Sequence, residues 1–81
     1  MIFLLHATEE YTKQFNEMVD LLKRANFNVF KDKKDRLCIM FFGVERLVQM
    51  SQILKQELII NTEFIEIDDY PTIEIYNSWR E

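Results

Sequence analysis

The chain contains two stretches in which side chains recur at the spacing of an α-helix face. Steps of three and four residues place such side chains on one side of a helix, so we predict helices over residues 8–25 and 44–58. The stripe residues are Tyr11, Phe15, Met18, Leu22 and Ala25 in the first helix, and Val44, Leu47, Ser51, Leu54 and Leu58, with Val48 beside them, in the second.

Shorter apolar segments predict β-strands between these helices. The stretches IFLLH, near the start, and LCIMFF, at residues 37–42, are apolar at nearly every position, which is typical of strands covered on both faces. Residues 27–30 show a weaker alternation of apolar and polar side chains, which also predicts a strand. The charged run KDKKDR joins this strand to LCIMFF as a hairpin. Because side chains alternate along a strand, LCIMFF has two sets: Leu37, Ile39 and Phe41 on one side, and Cys38, Met40 and Phe42 on the other.

The stretch IEIDDYPTIEI, residues 65–75, predicts a second hairpin. Asp and Pro favour turns, and the repeated Ile-Glu-Ile triplets resemble two strands that fold back on each other. With the turn centred on Tyr70, residue 67 pairs with 73 and residue 65 with 75, so the four isoleucines share one face. This register also places Glu66 opposite Glu74, where like charges repel.

The order of elements is strand, helix, strand, strand, helix, strand, followed by one more strand. This order predicts an α+β fold of the ferredoxin-like split βαβ type, with an antiparallel sheet in the order 4-1-3-2 and a C-terminal strand added as a hairpin. Right-handed crossovers place both helices on one face of the sheet. The 81 residues are expected to form a single domain, residues 1–81.

The composition of the chain predicts where the protein is located and which ligands it lacks. The chain has one cysteine, no CxxC motif and one histidine, which disfavours disulfides and zinc sites. The opening MIFLL is too short to span a membrane and lacks a basic leader segment. We therefore predict a cytoplasmic protein with no membrane contact, no metal and no cofactor.

The net charge of −4 argues against nucleic acid as a partner. RNA-recognition motifs share the predicted topology and stack bases on aromatic residues of their central strands. Here Cys38 and Met40 stand where those aromatics are expected, so the likeness is one of topology. Weak binding of single-stranded RNA is kept as a second alternative function.

Catalysis has little support in the sequence. His6 is the only histidine, and no motif places a nucleophile near it. Cys38 lies within an apolar strand, where a thiol is unreactive. Glycine-rich phosphate loops and G-x-S-x-G motifs are absent from the sequence. We predict that the protein is not an enzyme and has no catalytic residues.

The function predicted from these patterns is protein interaction. One sheet face has no helix over it, and we expect a homodimer to form there through the side chains of Cys38, Met40 and Phe42. The alternative is an acidic strip that binds a basic partner protein, formed by Glu63, Glu66, Asp68, Asp69 and Glu74. In that case the chain resembles, in general character, the small viral or mobile-element inhibitors that block nucleic-acid-handling proteins of a host.

Overall fold

A mixed β-sheet with helices on one face forms the fold. The structure is a computed structural model that describes residues 1–58 and 60–77, and in these residues five strands belong to one sheet. This confirms the α+β class. The elements are β1 (Ile2–Ala7), a 3₁₀ turn (Glu9–Tyr11), α1 (Thr12–Arg24), β2 (Asn28–Lys31), β3 (Leu37–Met40), α2 (Val44–Leu58), β4 (Ile60–Ile67) and β5 (Tyr70–Asn77).

The strand order is β2-β3-β1-β5-β4, which differs from the predicted 4-1-3-2 arrangement. The last strand, β5, lies between β1 and β4 and pairs in parallel with β1, so the sheet is mixed and not antiparallel. Burial explains this position. Thr72, Ile73 and Ile75 of β5 are fully buried, whereas β4 exposes Glu63 and Phe64 and lies at the edge.

The register of the second hairpin also differs from the prediction. Asp68 and Asp69 form a two-residue turn in which both have positive φ, 54° and 63°, as a type I′ turn requires. Ile67 therefore pairs with Tyr70, and residue 66 pairs with Pro71, not with residue 74. The predicted register was wrong by an odd number of residues, so the two Ile-Glu-Ile triplets face opposite sides of the sheet.

The main core lies between the sheet and the helices. The α1 stripe is confirmed, because Met18 and Leu22 are fully buried in this core. The α2 helix has the predicted bounds, but it is rotated relative to the predicted stripe. Met50 and Leu54 are fully buried, while the side chains of Val44 and Val48 are 72% and 49% exposed. The predicted stripe overlapped the true one only in part.

Candidate interaction surfaces

The sheet face away from the helices, called the open face below, has buried residues of its own. Leu4, Cys38 and Thr72 lie on this face, since their neighbours along each strand, such as Ile39 and Ile73, belong to the helix-side core. They are nevertheless 7%, 2% and 0% exposed. The open face is therefore partly covered, although none of the helices in residues 1–58 and 60–77 covers it.

The loop between β2 and β3 extends over this face. Asp32 organises the loop: its Oδ1 accepts hydrogen bonds from the backbone N–H groups of Lys34 and Arg36, both at 2.9 Å. Its Oδ2 accepts a bond from Arg36 Nε at 2.9 Å and lies 2.8 Å from Arg36 Nη2. The guanidinium carbon of Arg36 lies 4.9 Å from the centre of the Tyr70 ring, so the loop meets the start of β5.

These contacts stabilise the charged forms of both partners. The backbone hydrogen bond from Arg36, together with that residue's guanidinium and the Lys34 N–H, lowers the pKa of Asp32. The side-chain hydrogen bond to Asp32 raises the pKa of Arg36. Both groups stay ionised near neutral pH, so the loop keeps its shape.

A cavity of about 500 Å³ lies between this loop and the sheet. Apolar side chains form its floor, and cations of the loop stand at its rim. The cavity is lined on its apolar side by Ile2, Leu4, Phe30, Cys38 and Tyr70, and at its rim by Lys33, Lys34 and Arg36.

The three residues predicted to mediate self-association lie in different environments. Cys38 is buried under the loop, and its thiol donates a weak hydrogen bond to the Arg36 carbonyl at 3.6 Å. Burial raises the pKa of this thiol, which favours the unreactive protonated form. Met40 is half-buried on the open face at the end of β3. Phe42 lies beyond the strand and is 83% exposed.

Phe42 forms an exposed apolar patch with two residues of α2. Gly43, at φ 110°, turns the chain away from β3, and α2 begins at the next residue. Val44 and Val48 follow one helical turn apart, and together with Phe42 they line a shallow groove. We call Phe42, Val44 and Val48 the apolar patch. The apolar stripe predicted for the second helix included both valines, so only the Phe42 part of this surface was predicted from the sequence.

The polar margin of the apolar patch is held in place by Arg46. Its guanidinium lies 3.8 Å from the centre of the Phe27 ring, and its Nη1 donates a hydrogen bond to Gln49 Oε1 at 2.8 Å. Arg46 and Gln49 line the same groove as the patch, together with Glu45. The margin therefore carries both an anion, Glu45, and a cation, Arg46.

The acidic residues predicted as one strip do not share one surface. Glu63 and Glu74 pair directly across β4 and β5 on the open face, and the Tyr76 hydroxyl donates a hydrogen bond to Glu63 Oε1 at 2.7 Å. His6 of β1 is in register with Glu74, and its Nδ1 is buried without a hydrogen-bond partner among the described residues.

The other three acids of the predicted strip lie apart from this pair. Glu66 pairs with Pro71, and strand alternation places its side chain on the opposite face from Glu63. Asp68 and Asp69 form the turn at the end of the hairpin. The like-charge opposition expected for Glu66 and Glu74 is thus present in the molecule, but between Glu63 and Glu74.

No group of three or more His, Cys, Asp or Glu side chains in residues 1–58 and 60–77 is placed to hold a metal ion. None of the helices in these residues is long and apolar enough to cross a membrane.

Comparison with known proteins found no similarity: no family model, no curated protein and no solved structure matches this chain.

Proposed function

We propose that this chain is a non-enzymatic protein-interaction domain that pairs with a second copy of itself through the apolar patch. The observation that supports this proposal is the exposure of Phe42, Val44 and Val48, at 83%, 72% and 49%, around one groove. Single exposed apolar residues are common, but a contiguous group that includes a nearly free Phe is typical of an interface. Aromatic side chains also contribute much of the binding energy in protein interfaces.

A second copy is the occupant that the charges around the patch favour. In a two-fold dimer the same surface meets itself, so each residue at the margin of one copy lies opposite a different residue of the other copy and the surface must be complementary to itself. Glu45 and Arg46 both line the groove at this margin, and a two-fold arrangement can place the anion of one copy near the cation of the other. The like-charged pair of Glu63 and Glu74 does not line this groove.

We also propose a fold type, a location and a domain organisation for the protein. We interpret the fold as a ferredoxin-like split βαβ arrangement in which β5 has been inserted between β1 and β4. The cytoplasmic location and the single-domain organisation stay predictions from the sequence.

Sedimentation equilibrium over a wide concentration range tests the pairing. We expect Phe42→Asp and Val48→Asp to shift the protein to monomer. Because Phe42 and Val48 are exposed, the thermal unfolding temperature should stay almost unchanged when it is measured at concentrations so low that the parent is also monomeric. Phe64→Asp is the matched control, since Phe64 is 54% exposed but lies on β4. A parent protein that stays monomeric at millimolar concentration contradicts the proposal.

Met40→Asp tests the original expectation of pairing through the open face. Met40 lies on that face and Phe42 does not line its cavity. If Met40→Asp abolishes pairing and Phe42→Asp does not, the interface lies on the open face and the apolar patch is not the contact.

A second candidate function is supported by the opposed carboxylates of Glu63 and Glu74. Keeping like charges opposite each other costs up to about 1 kcal/mol, which a basic partner would offset. We propose as the alternative that this pair binds a cationic protein surface, such as that of a nucleic-acid-handling enzyme. A partner recovered in equal amounts with the parent, and lost with Glu63→Lys/Glu74→Lys but not with Glu66→Lys, supports this alternative.

A further inference from the structure

We propose that the cavity on the open face binds an amphipathic carboxylate, with an aliphatic chain along the sheet and its carboxylate at Lys33 and Lys34. This site is separate from the apolar patch, because the cavity and the groove around the patch share no lining residue. The proposal therefore does not depend on self-pairing.

The floor of the cavity suits an aliphatic chain. Leu4 and Cys38 are buried at its base, and Phe30 and Ile2 are more accessible beside them. Ile2 is 47% exposed, so a bound chain would remove apolar surface from water on both partners. The volume of about 500 Å³ lies within the range of sites for small organic molecules.

The rim of the cavity carries positive charge, although the chain as a whole is negative. Lys33, Lys34 and Arg36 supply three cations and Asp32 one anion, which leaves a formal charge of +2 at the rim, in a protein of net charge −4. The ion pairs of this loop join Arg36 to Asp32 and Lys31 to Asp35. Within residues 1–58 and 60–77, Lys33 and Lys34 have no carboxylate at ion-pair distance.

Hydrogen bonds fix the backbone of the loop that carries these lysines before any ligand binds. Asp32 accepts hydrogen bonds from the Lys34 and Arg36 backbones, and the Asp35 N–H donates to the Asp32 carbonyl at 3.0 Å. Stacking of Arg36 on Tyr70 fixes the far side of the cavity. A loop whose backbone is already ordered loses only the side-chain entropy of the lysines on binding, which favours affinity.

The distribution of polar and charged groups selects among ligand classes. An apolar floor with cations at one side matches a molecule that is apolar along its length and anionic at one end. A cationic amphiphile has the same apolar chain but meets repulsion from Lys33 and Lys34. A neutral alcohol of equal length keeps only the apolar contribution.

Calorimetric titration with decanoate, decanol and decyltrimethylammonium below their micelle concentrations tests the site. We expect decanoate to bind most tightly and the cation least. In parallel NMR titrations, the methyl signals of Ile2 and Leu4 should shift. The methyl signals of Ile53, which packs on the helix side, should not.

Two pairs of lysine variants provide the matched comparison. Lys33→Gln/Lys34→Gln removes the two rim cations that have no ion-pair partner among the described residues and should weaken decanoate binding by about tenfold, because charge-assisted contacts contribute on this scale. Lys13→Gln/Lys55→Gln removes the same charge from exposed helix positions and should leave binding unchanged. All four lysines are exposed, so neither pair is expected to unfold the protein.

Three results would overturn the proposal. They are no binding of decanoate, equal affinity for decanoate and the cationic amphiphile, and equal weakening by the rim and helix lysine variants. The Phe42→Asp protein should bind decanoate as tightly as the parent, so a failure of the self-pairing proposal leaves this test intact.

Discussion

The two Ile-Glu-Ile triplets of the second hairpin have the same sequence but lie in different environments. Ile73 and Ile75 are fully buried against the helices. Ile65 and Ile67 are half-buried and point to the opposite face. The central glutamates differ in the same way, because Glu74 lies on the open face and Glu66 on the helix side.

This difference shows that the turn, and not the triplet, decides which side chains enter the core. A two-residue turn at Asp68 and Asp69 pairs Ile67 with Tyr70, so the two triplets are offset by an odd number of residues. Position in the sheet adds to the difference. The second triplet lies in β5, between β1 and β4, while the first lies in the edge strand β4.

The strongest test of this contrast removes one isoleucine from each triplet. Ile75→Ala leaves a cavity in the core and should lower the free energy of unfolding by about 2–5 kcal/mol. Ile67→Ala should cost less than about 1 kcal/mol, because Ile67 is only half-buried and its neighbourhood can relax. Urea denaturation measures both values, and equal losses would mean that both triplets face the core.

Much of the fold follows from local sequence patterns. The spacing of apolar residues predicted α2 at the residues it occupies, Val44–Leu58, and predicted β1 and the β2–β3 hairpin close to their bounds. The first helix begins four residues later than predicted, since a 3₁₀ turn takes up residues 9–11. These features depend on neighbours along the chain, and such neighbours are visible in a sequence.

Features that depend on distant contacts were not predictable in this way. Two overlapping stripes run along α2, and only packing against the sheet selects Met50 for the core and leaves Val44 exposed. The insertion of β5 beside β1 is likewise a non-local pairing. The packing of α2 decides which of its apolar residues lie in the core, and the position of β5 decides which strands lie at the centre of the sheet.

Of the candidate sites, only the exposed position of Phe42 could be predicted from the sequence. Phe42 was expected at an interface, and it is the most exposed of the large apolar residues that the structure describes. The cavity was not expected, because its rim needs Arg36 to meet Tyr70 from another hairpin. The spacing of Asp32, Lys34 and Arg36 was the available signal, since Asp side chains often bond backbone N–H groups a few residues onward.

The turn itself provides a smaller test of the comparison. Asp69 has a φ of 63°, a conformation that glycine adopts without steric cost. Asp69→Gly should therefore raise the free energy of unfolding by about 0.5–1 kcal/mol, measured by urea denaturation. Asp20→Gly is the matched control, because Asp20 is exposed within α1 and glycine, a poorer helix former than Asp, should cost about 0.3–0.5 kcal/mol there. A loss of stability at both positions contradicts the two-residue turn.

The smallest expected effect comes from the glutamates at the centres of the triplets. Glu74 pairs with Glu63, so Glu74→Gln removes a like-charge opposition and should raise the free energy of unfolding by at most about 1 kcal/mol. Glu66 pairs with Pro71, so Glu66→Gln should leave stability unchanged. The gain from Glu74→Gln should also shrink at 1 M salt, where charges are screened beyond about 3 Å. Thermal unfolding of both variants at low and high salt measures this difference. If Glu66→Gln gives a gain as large as that from Glu74→Gln, the glutamates at positions 66 and 74 are opposed after all, and the register of the hairpin must be the one centred on Tyr70.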